Sequence, residues 1–339
     1  MLSRLISVDP QSFDLDYATA WSVWPSLVRV RNVKLRGNDA NVQWQIEIDA
    51  AWVSVDLLAL FGRQFHATRV RAEGISFRLR QKLEADAATT DRIAPLPPIV
   101  GFDGRPLRGD LPPIDQSAKV PYDLWSVHIE NVDGIARQVW IDEVRFEGKA
   151  RVSGAFFLKP KRLLWVGPAH ADIFSGTVTL GDAKLLAQIS GTADCRIPPF
   201  DPSLPFGIEY YRYISGAVRL DADVPDVRAL DYYPRIRGIP LSFGGGNGGL
   251  HFDGTLRDGI VRPMNLSLTL RDLAAKTGSW LIGASIEASA RAGSTGPSVW
   301  TARLSPLALE RAGATFVVIG EQPLQVGTLV DEIDLSRAA

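Results

Sequence analysis

The sequence has very few of the residues that build metal sites and disulfides. It contains one cysteine and four histidines among 339 residues. A single cysteine cannot form an internal disulfide, and the scattered histidines lack metal-ligand spacing. Cys195 lies in a strand-like run with no histidine near it, which favours a small core residue over a catalytic nucleophile. We therefore expect no metal, no cofactor and no catalytic residue, and a protein that is not an enzyme.

An excess of charge of one sign and a long apolar run are also missing. The chain has 37 basic and 38 acidic residues. A nucleic-acid-binding protein normally carries a clear basic excess, because it must neutralise phosphates. No stretch approaches the ~20 apolar residues of a membrane span, and the first residues are too polar for a signal peptide. We expect no nucleic-acid partner and no membrane anchor in the residues given.

The sequence does contain stretches in which apolar and polar residues alternate with a period of two. From Val42 to Ala50 apolar residues alternate with Gln43, Gln45, Glu47 and Asp49. A helix cannot present this period as one face, whereas a strand can. The alternation slips by one residue at Ala50-Ala51 and continues to residue 57, as a β-bulge would make it do. The pattern predicts one long strand with a single apolar side.

The neighbouring stretches repeat this design. Residues 27–35 alternate with a slip at Asn32, and residues 65–79 alternate with two slips. Between these strands, Asp56 can cap a short helical turn that Gly62 ends. The first 23 residues read as a lead-in, in which the aromatic residues 17–24 favour a helical cap on one end of the sheet. The alternative makes Trp21 and Trp24 interfacial anchors beside a bilayer.

The motifs Val-x-Val-x-Asn-Val-x-Leu (28–35), Val-Ser-Val-Asp-Leu-Leu-Ala-Leu-Phe (53–61) and Val-x-Ala-x-Gly-Ile-x-Phe-x-Leu (70–79) resemble the opening module of AsmA-like proteins. This bacterial envelope family is related to TamB and to the chorein-type bridge-like lipid transfer proteins. The resemblance implies a long, curved sheet with an apolar concave face that carries phospholipid between membranes. It also implies a periplasmic location with an inner-membrane tether, which would precede the residues given if the chain is trimmed.

Proline-rich stretches mark the remaining boundaries. Prolines between residues 94 and 121 exclude helix and central strand, which predicts an extended surface excursion. It either covers the mouth of the groove, docks an envelope partner or is an ordinary insertion. We predict five segments: a lead-in cap (1–23), the AsmA-like opening β module (24–80), the Pro-rich excursion (81–122), a β meander (123–200), and a second β section (201–339) with one short helix (226–233).

Two further patterns lie in the last segments. Asp226 is the expected N-cap of the short helix, and Pro234 its end. Gly244–Gly249 fits the letters of a dinucleotide-binding loop, but the strand-like residues that follow favour a turn into a hairpin. The fold class that we expect is mainly β: a long, curved, mostly antiparallel bulged sheet that forms an elongated apolar groove, with a few short helices.

Such one-sided strands need something apolar to cover them. We expect phospholipid acyl chains to do so, in a protein that transports lipid between envelope membranes or supports outer-membrane biogenesis, with the membrane surface as a partner. The expected lining residues are Val28, Val30, Trp44, Ile46, Ile48, Val53, Val55, Ile75, Phe77, Val127, Ile129, Val144 and Phe146. The alternative is a structural or interaction module with a closed core of two folded-over sheets, in which exposed Trp52 or Trp140 contacts a partner or sugar.

Overall fold

Strands dominate a computed structural model of the chain, which describes residues 13–38, 41–109, 125–159, 162–201, 213–294, 298–311, 314–319 and 324–330. The first eight strands are β1 (Phe13–Asp16), β2 (Thr19–Trp24), β3 (Leu27–Asn38), β4 (Val42–Val55), β5 (Gln64–Gln81), β6 (Ser126–Ile141), β7 (Val144–Lys159) and β8 (Leu163–Leu180). They are followed by β9 (Ala183–Phe200), β10 (Ser215–Val224), β11 (Leu241–Arg257), β12 (Ile260–Thr277), β13 (Trp280–Ala292), β14 (Ser298–Arg311), β15 (Ala314–Ile319) and β16 (Leu324–Val330).

The helical elements are short. They are 3₁₀ turns at Ala59–Gly62 and Val227–Asp231, α1 (Thr90–Ile93) and α2 (Tyr232–Ile236). The predicted Asp226 cap is confirmed, because its carboxylate accepts the Arg228 amide at 2.9 Å. The predicted end at Pro234 is wrong: Pro234 lies inside the first turn of α2, where its missing N–H costs nothing.

All sixteen strands belong to one open sheet. Its order is β1-β3-β4 and then sequential to β15, with β2 on β3 and β16 on β14. Strands β3–β4 and β4–β5 and the pairs from β10 to β15 are antiparallel, whereas β5 and β6 are parallel. The prediction of a mainly β fold with few short helices is confirmed, and the alternative of two folded-over sheets is not what these strands form.

The chain divides into two compact units. The first unit holds residues 1–143, 147–172 and 194–214, and the second holds 144–146, 173–193 and 215–339. These limits run through β7, β8 and β9, so they do not coincide with the segments expected from proline content.

Slips in the alternation correspond to local features of the backbone. Asn32 has a left-handed φ of 52° and lies between the pairs Val33–Ile48 and Arg31–Ala50, so the β3–β4 register continues past it without the shift that a β-bulge in one strand would cause. Asp142 also has a left-handed φ, of 49°, and lies in the tight turn that joins β6 to β7. Asparagine and aspartate tolerate this conformation, so the sequence alone did not distinguish a bulge from a turn.

Two other expectations are wrong. Residues 19–24 form a strand paired with β3, not a helical cap, and Trp21 lies opposite Arg29. The glycine run 244–249 lies within β11 at two register shifts, where a Cβ on Gly248 would come within 1.7 Å of the Thr269 carbonyl oxygen. Glycine is used there because the neighbouring backbone approaches closely.

Candidate functional site

The candidate site is the apolar face of β3–β6 in the first unit. Its buried centre consists of Ala51, Val53, Val55, Ala67, Val70 and Ala72, with Ala67 fully inaccessible. Half-buried apolar side chains of the same four strands pack around this centre. No residue from outside these strands belongs to the cluster in the described part of the unit, so the face is built by the sheet alone.

Strand register explains why this face is continuous. Val28, Val53, Val70 and Val132 pair in sequence across four strands and so form one row of valines. A second row further along the strands runs through Leu35, Ile46, Phe77 and Val139. Directly paired apolar side chains contact each other across strands, which stabilises the sheet even without a second layer.

A glycine makes room for the largest side chain on the face. Gly37 pairs with Trp44, and a Cβ at Gly37 would lie 2.4 Å from the indole ring. The indole reaches the edge of Phe13, whose ring centroid is 6.0 Å away. Phe13 pairs with Gly37 in turn. The apolar face therefore extends from β6 to the edge strand β1.

Most of the predicted lining residues lie on this face. Seven of them belong to the cluster: Val28, Val30, Ile48, Val53, Val55, Ile75 and Ile129. Trp44, Ile46 and Phe77 are half-buried in the adjoining rows, and Val127 pairs with Phe65. Val144 and Phe146 belong to the second unit and are not grouped with the others.

The structure adds residues that the sequence analysis left out of the lining. Val70, Ala72 and Val132 are central to the cluster or packed against it. The sequence shows that these residues alternate with polar ones, but how deeply each is buried within the face depends on the residues paired with it on the neighbouring strands. Pairing across strands, rather than pattern along one strand, was the missing signal.

The opposite face of the same strands is polar. Arg137 contacts Asp49 at 2.8 Å, and Arg151 reaches Asp133 at 3.2 Å. The guanidinium of Arg29 lies 4.8 Å from the ring centroid of Trp52 and 5.2 Å from that of Trp21. The two faces of this part of the sheet thus differ sharply in chemistry.

The Pro-rich segment lies on that polar face. Arg36 donates to the carbonyl oxygen of Val100 at 2.7 Å, and the Val100 amide donates to the Gln45 side chain at 2.8 Å. Arg80 donates to Gln43 at 2.8 Å, to the Pro97 carbonyl at 3.3 Å and to the Phe102 carbonyl. Residues 82–109 therefore do not cover the apolar face; residues 110–122 lie outside the described part.

This cover has its own buried core. Pro97, Ile99, Pro106 and Lys82 are almost inaccessible, and burial lowers the pKa of Arg80 from its usual value. Trp140 donates to the Pro95 carbonyl at 3.2 Å. Trp140 and Trp52 are both half-buried and engaged, so neither is exposed in the way that the alternative interpretation suggested for a contact residue.

The second unit also has an apolar face. Leu220, Phe252, Leu266 and Ala290 pair across β10–β13, and Val224, Leu270 and Leu273 form a buried cluster. Val227 of the second 3₁₀ turn is part of that cluster and is 1% exposed. Asp231 anchors this turn by accepting the Phe243 amide at 2.6 Å. A helical segment therefore covers part of this face.

The polar face of the second unit carries an open depression of about 390 Å³. Asp221, Asp223, His251, Ser267 and Thr269 are among its lining residues, and His251 Nδ1 lies 2.7 Å from Asp221 Oδ1. An imidazole beside a carboxylate can move a proton, yet the depression is wide and open rather than a closed site. It is not suited to acyl chains.

The other titratable groups that sequence reasoning considered have structural partners. His128 stacks on His66 at 4.7 Å, and burial followed by the proximity of His66 lowers the pKa of His128. Hydrogen bonds that the imidazole donates to Asp194 and Asp172 raise the pKa of His170. Burial raises the pKa of the Cys195 thiol, which opposes a thiolate nucleophile. No cluster of three metal-ligating residues exists in the described ranges.

No family model, curated protein or solved structure matches this chain in sequence or fold comparisons. Within the residues whose placement is described, no helix combines the length and apolar content of a membrane crossing.

Proposed function

We propose that this protein binds phospholipid acyl chains along the apolar face of β3–β6 and transports phospholipid between bacterial envelope membranes. The observation that supports this most is the contrast between the faces. Among the described residues, the cover on the polar face is formed by residues 82–109, and the apolar cluster contains side chains of β3–β6 only. An apolar sheet face on which no second layer packs in the described part of the chain is a candidate binding surface.

The energetics of such binding are favourable. Each methylene removed from water contributes about 0.8 kcal/mol, so one acyl chain along a row of paired apolar side chains gains several kcal/mol. The head group remains at the rim in water. The half-buried Trp44, Ile46 and Phe77 offer the side chains that a bound chain would shield further. No residue acts as a catalyst in this proposal.

The resemblance to AsmA-like proteins supports the same function. It extends the proposal to a periplasmic location, an inner-membrane tether and a role in outer-membrane biogenesis. An envelope partner that docks through the Pro-rich segment stays a prediction, because the contacts of residues 82–109 are with the chain's own sheet.

Native mass spectrometry of the purified chain tests the proposal. We expect copurified phospholipid in the wild type and its loss in Phe77→Asp and in Ile46→Asp combined with Phe77→Asp, because a carboxylate opposes an acyl chain. Thr68→Asp, at an exposed position of β5, is the matched control and should keep the lipid. Circular dichroism verifies that the variants are folded.

Two results would contradict the proposal. One is a wild type that neither copurifies with phospholipid nor binds a fluorescent phospholipid analogue. The other is a folded Phe77→Asp variant that retains lipid as the wild type does.

A further inference from the structure

Large apolar side chains are exposed at one end of the first unit. Trp24 is 74% exposed, Leu58 77% and Phe61 89%, with Leu57 also exposed. Single exposed apolar residues are ordinary on protein surfaces, but a group of the largest ones on adjoining loops marks an interaction surface. We refer to Trp24, Leu57, Leu58 and Phe61 as the apolar tip.

Backbone hydrogen bonds place these residues together. The Val55 amide donates to the Ser26 carbonyl at 2.7 Å, which joins the end of β4 to the turn that follows Trp24. The Asp56 amide donates to the His66 carbonyl at 2.9 Å, which closes the loop between β4 and β5. The two loops of the apolar tip are therefore neighbours.

The loop has a defined conformation that presents its apolar side chains outward. The Asp56 carboxylate accepts the Leu58 amide at 2.9 Å, and Arg63 ends the 3₁₀ turn in a left-handed conformation. The Arg63 amide donates to the Leu60 carbonyl at 3.0 Å. No residue of this 3₁₀ turn is fully buried: Ala59 and Leu60 are half-buried, and Phe61 is exposed.

Basic side chains lie around the apolar tip. Arg63 is exposed directly after the turn. A row of rings leads from the same end of β5 to β8: His66 stacks on His128 at 4.7 Å, His128 meets Phe157 at 5.8 Å, and Phe157 stacks on Trp165 at 6.0 Å. Lys159 and Arg162, both exposed, border this row in the β7–β8 connection.

Two carboxylates at this end contact a histidine. Asp56 and Glu130 lie 3.5 Å and 2.9 Å from the two ring nitrogens of His66. Arg63, Lys159 and Arg162 add three exposed cationic side chains at the same end of the strands. Exposed apolar side chains that include an indole, with Lys and Arg at the same end, are the chemistry that an anionic bilayer surface recognises.

We propose that the apolar tip inserts into the interfacial region of an anionic phospholipid bilayer and docks the first unit on it. The tip begins directly after Val55, which belongs to the buried centre of the apolar face. A lipid leaving the bilayer at the tip would therefore meet the apolar face at once; this delivery role rests on the proposed function, whereas docking does not.

Vesicle flotation of the full chain tests the docking. We expect the wild type to float with vesicles of phosphatidylcholine and phosphatidylglycerol, and much less with phosphatidylcholine alone. Leu58→Asp combined with Phe61→Asp should reduce the bound fraction at least about tenfold. The matched control Ile239→Asp, which alters a side chain 50% exposed in the second unit, should leave flotation unchanged.

Three outcomes would overturn the docking. They are a wild type that floats with neither vesicle, a tip variant that floats as the wild type does, and concentration-dependent self-association that the tip variant abolishes, which would make the tip a contact between copies. The two proposals fail separately: flotation without copurified phospholipid would retain the docking and reject lipid carriage, and a tip variant that keeps its phospholipid but no longer floats supports both.

Discussion

The two units have similar apolar faces but differ in which face of the sheet their connecting segments contact. In the first, residues 82–109 after β5 lie on the polar face and are held by Arg36 and Arg80. In the second, the connection after β10 places Val227 on the apolar face. The difference lies in the connections, not in the strands: guanidinium groups bind backbone carbonyls of a proline-rich segment, whereas apolar residues of a short helix join an apolar row. Strand pattern alone therefore does not decide which face of a sheet remains open.

The difference between the two apolar faces is tested most directly by placing the same charge on each of them. Val227→Asp should lower the free energy of unfolding by about 3–5 kcal/mol, because it buries an unpaired carboxylate. Val30→Asp, at a half-buried position of the first unit's face, should cost clearly less because water can reach it. Urea denaturation measures both. Equal losses would mean that the two faces are covered alike.

The attachment of the Pro-rich segment can be tested at Arg80. Arg80→Leu leaves the carbonyls of Pro97 and Phe102 without their donor, which should cost about 2–4 kcal/mol. Residues 82–109 should also become more sensitive to limited proteolysis. Arg71→Leu, at an exposed position of the same strand, is the control. Unaltered cleavage of the segment in Arg80→Leu would show that other contacts hold it.

A smaller effect is expected at the β6–β7 turn. Burial raises the pKa of Asp142 to about 6, although its carboxylate accepts the Gln81 amide at 2.7 Å. The folded state then holds a proton that the unfolded chain releases near pH 4, so stability falls as pH rises from about 4 to about 6. Asp142→Asn should abolish this fall and raise stability at pH 7 by about 1–3 kcal/mol.

Thermal unfolding between pH 4 and pH 7 measures this difference. Asp182→Asn in the exposed turn between β8 and β9 of the second unit is the control. Parallel pH curves for the wild type and Asp142→Asn would contradict the predicted burial of the carboxylate.

Much of the fold follows from short-range patterns. Alternation from Val42 onward predicts β4, and the slip at Asn32 predicts a local irregularity of β3, where the structure has a left-handed residue; both predictions depend only on the two-residue period of a strand. Asp226 predicts a helix start for a similar local reason. The candidate face was predictable to the same extent, since its residues alternate along each strand.

What the sequence did not disclose depends on contacts between distant residues. Arg36 and Arg80 decide the position of residues 82–109. The alternation of these arginines with apolar residues predicts that they lie on the polar face, but not which segment they bind. The glycine run in β11 resembles a turn because the carbonyl of Thr269, which excludes a side chain at Gly248, is distant in sequence. Which row is buried likewise depends on register across strands.

The parallel pairing of β5 and β6 has a consequence for where charges fall. A parallel neighbour requires the chain to travel back along the full length of the preceding strand before it begins. Because of this return, each later turn of the first unit lies at the opposite end of the strands from where it would lie in a plain meander. The return sends the acidic bend at Asp142-Glu143 to the end opposite the apolar tip, beside Gln81, and brings the basic bend near Lys159 and Arg162 to the tip's own end. A plain meander of the same strands would have exchanged the two bends and placed the carboxylates of Asp142 and Glu143 at the end that carries the apolar tip.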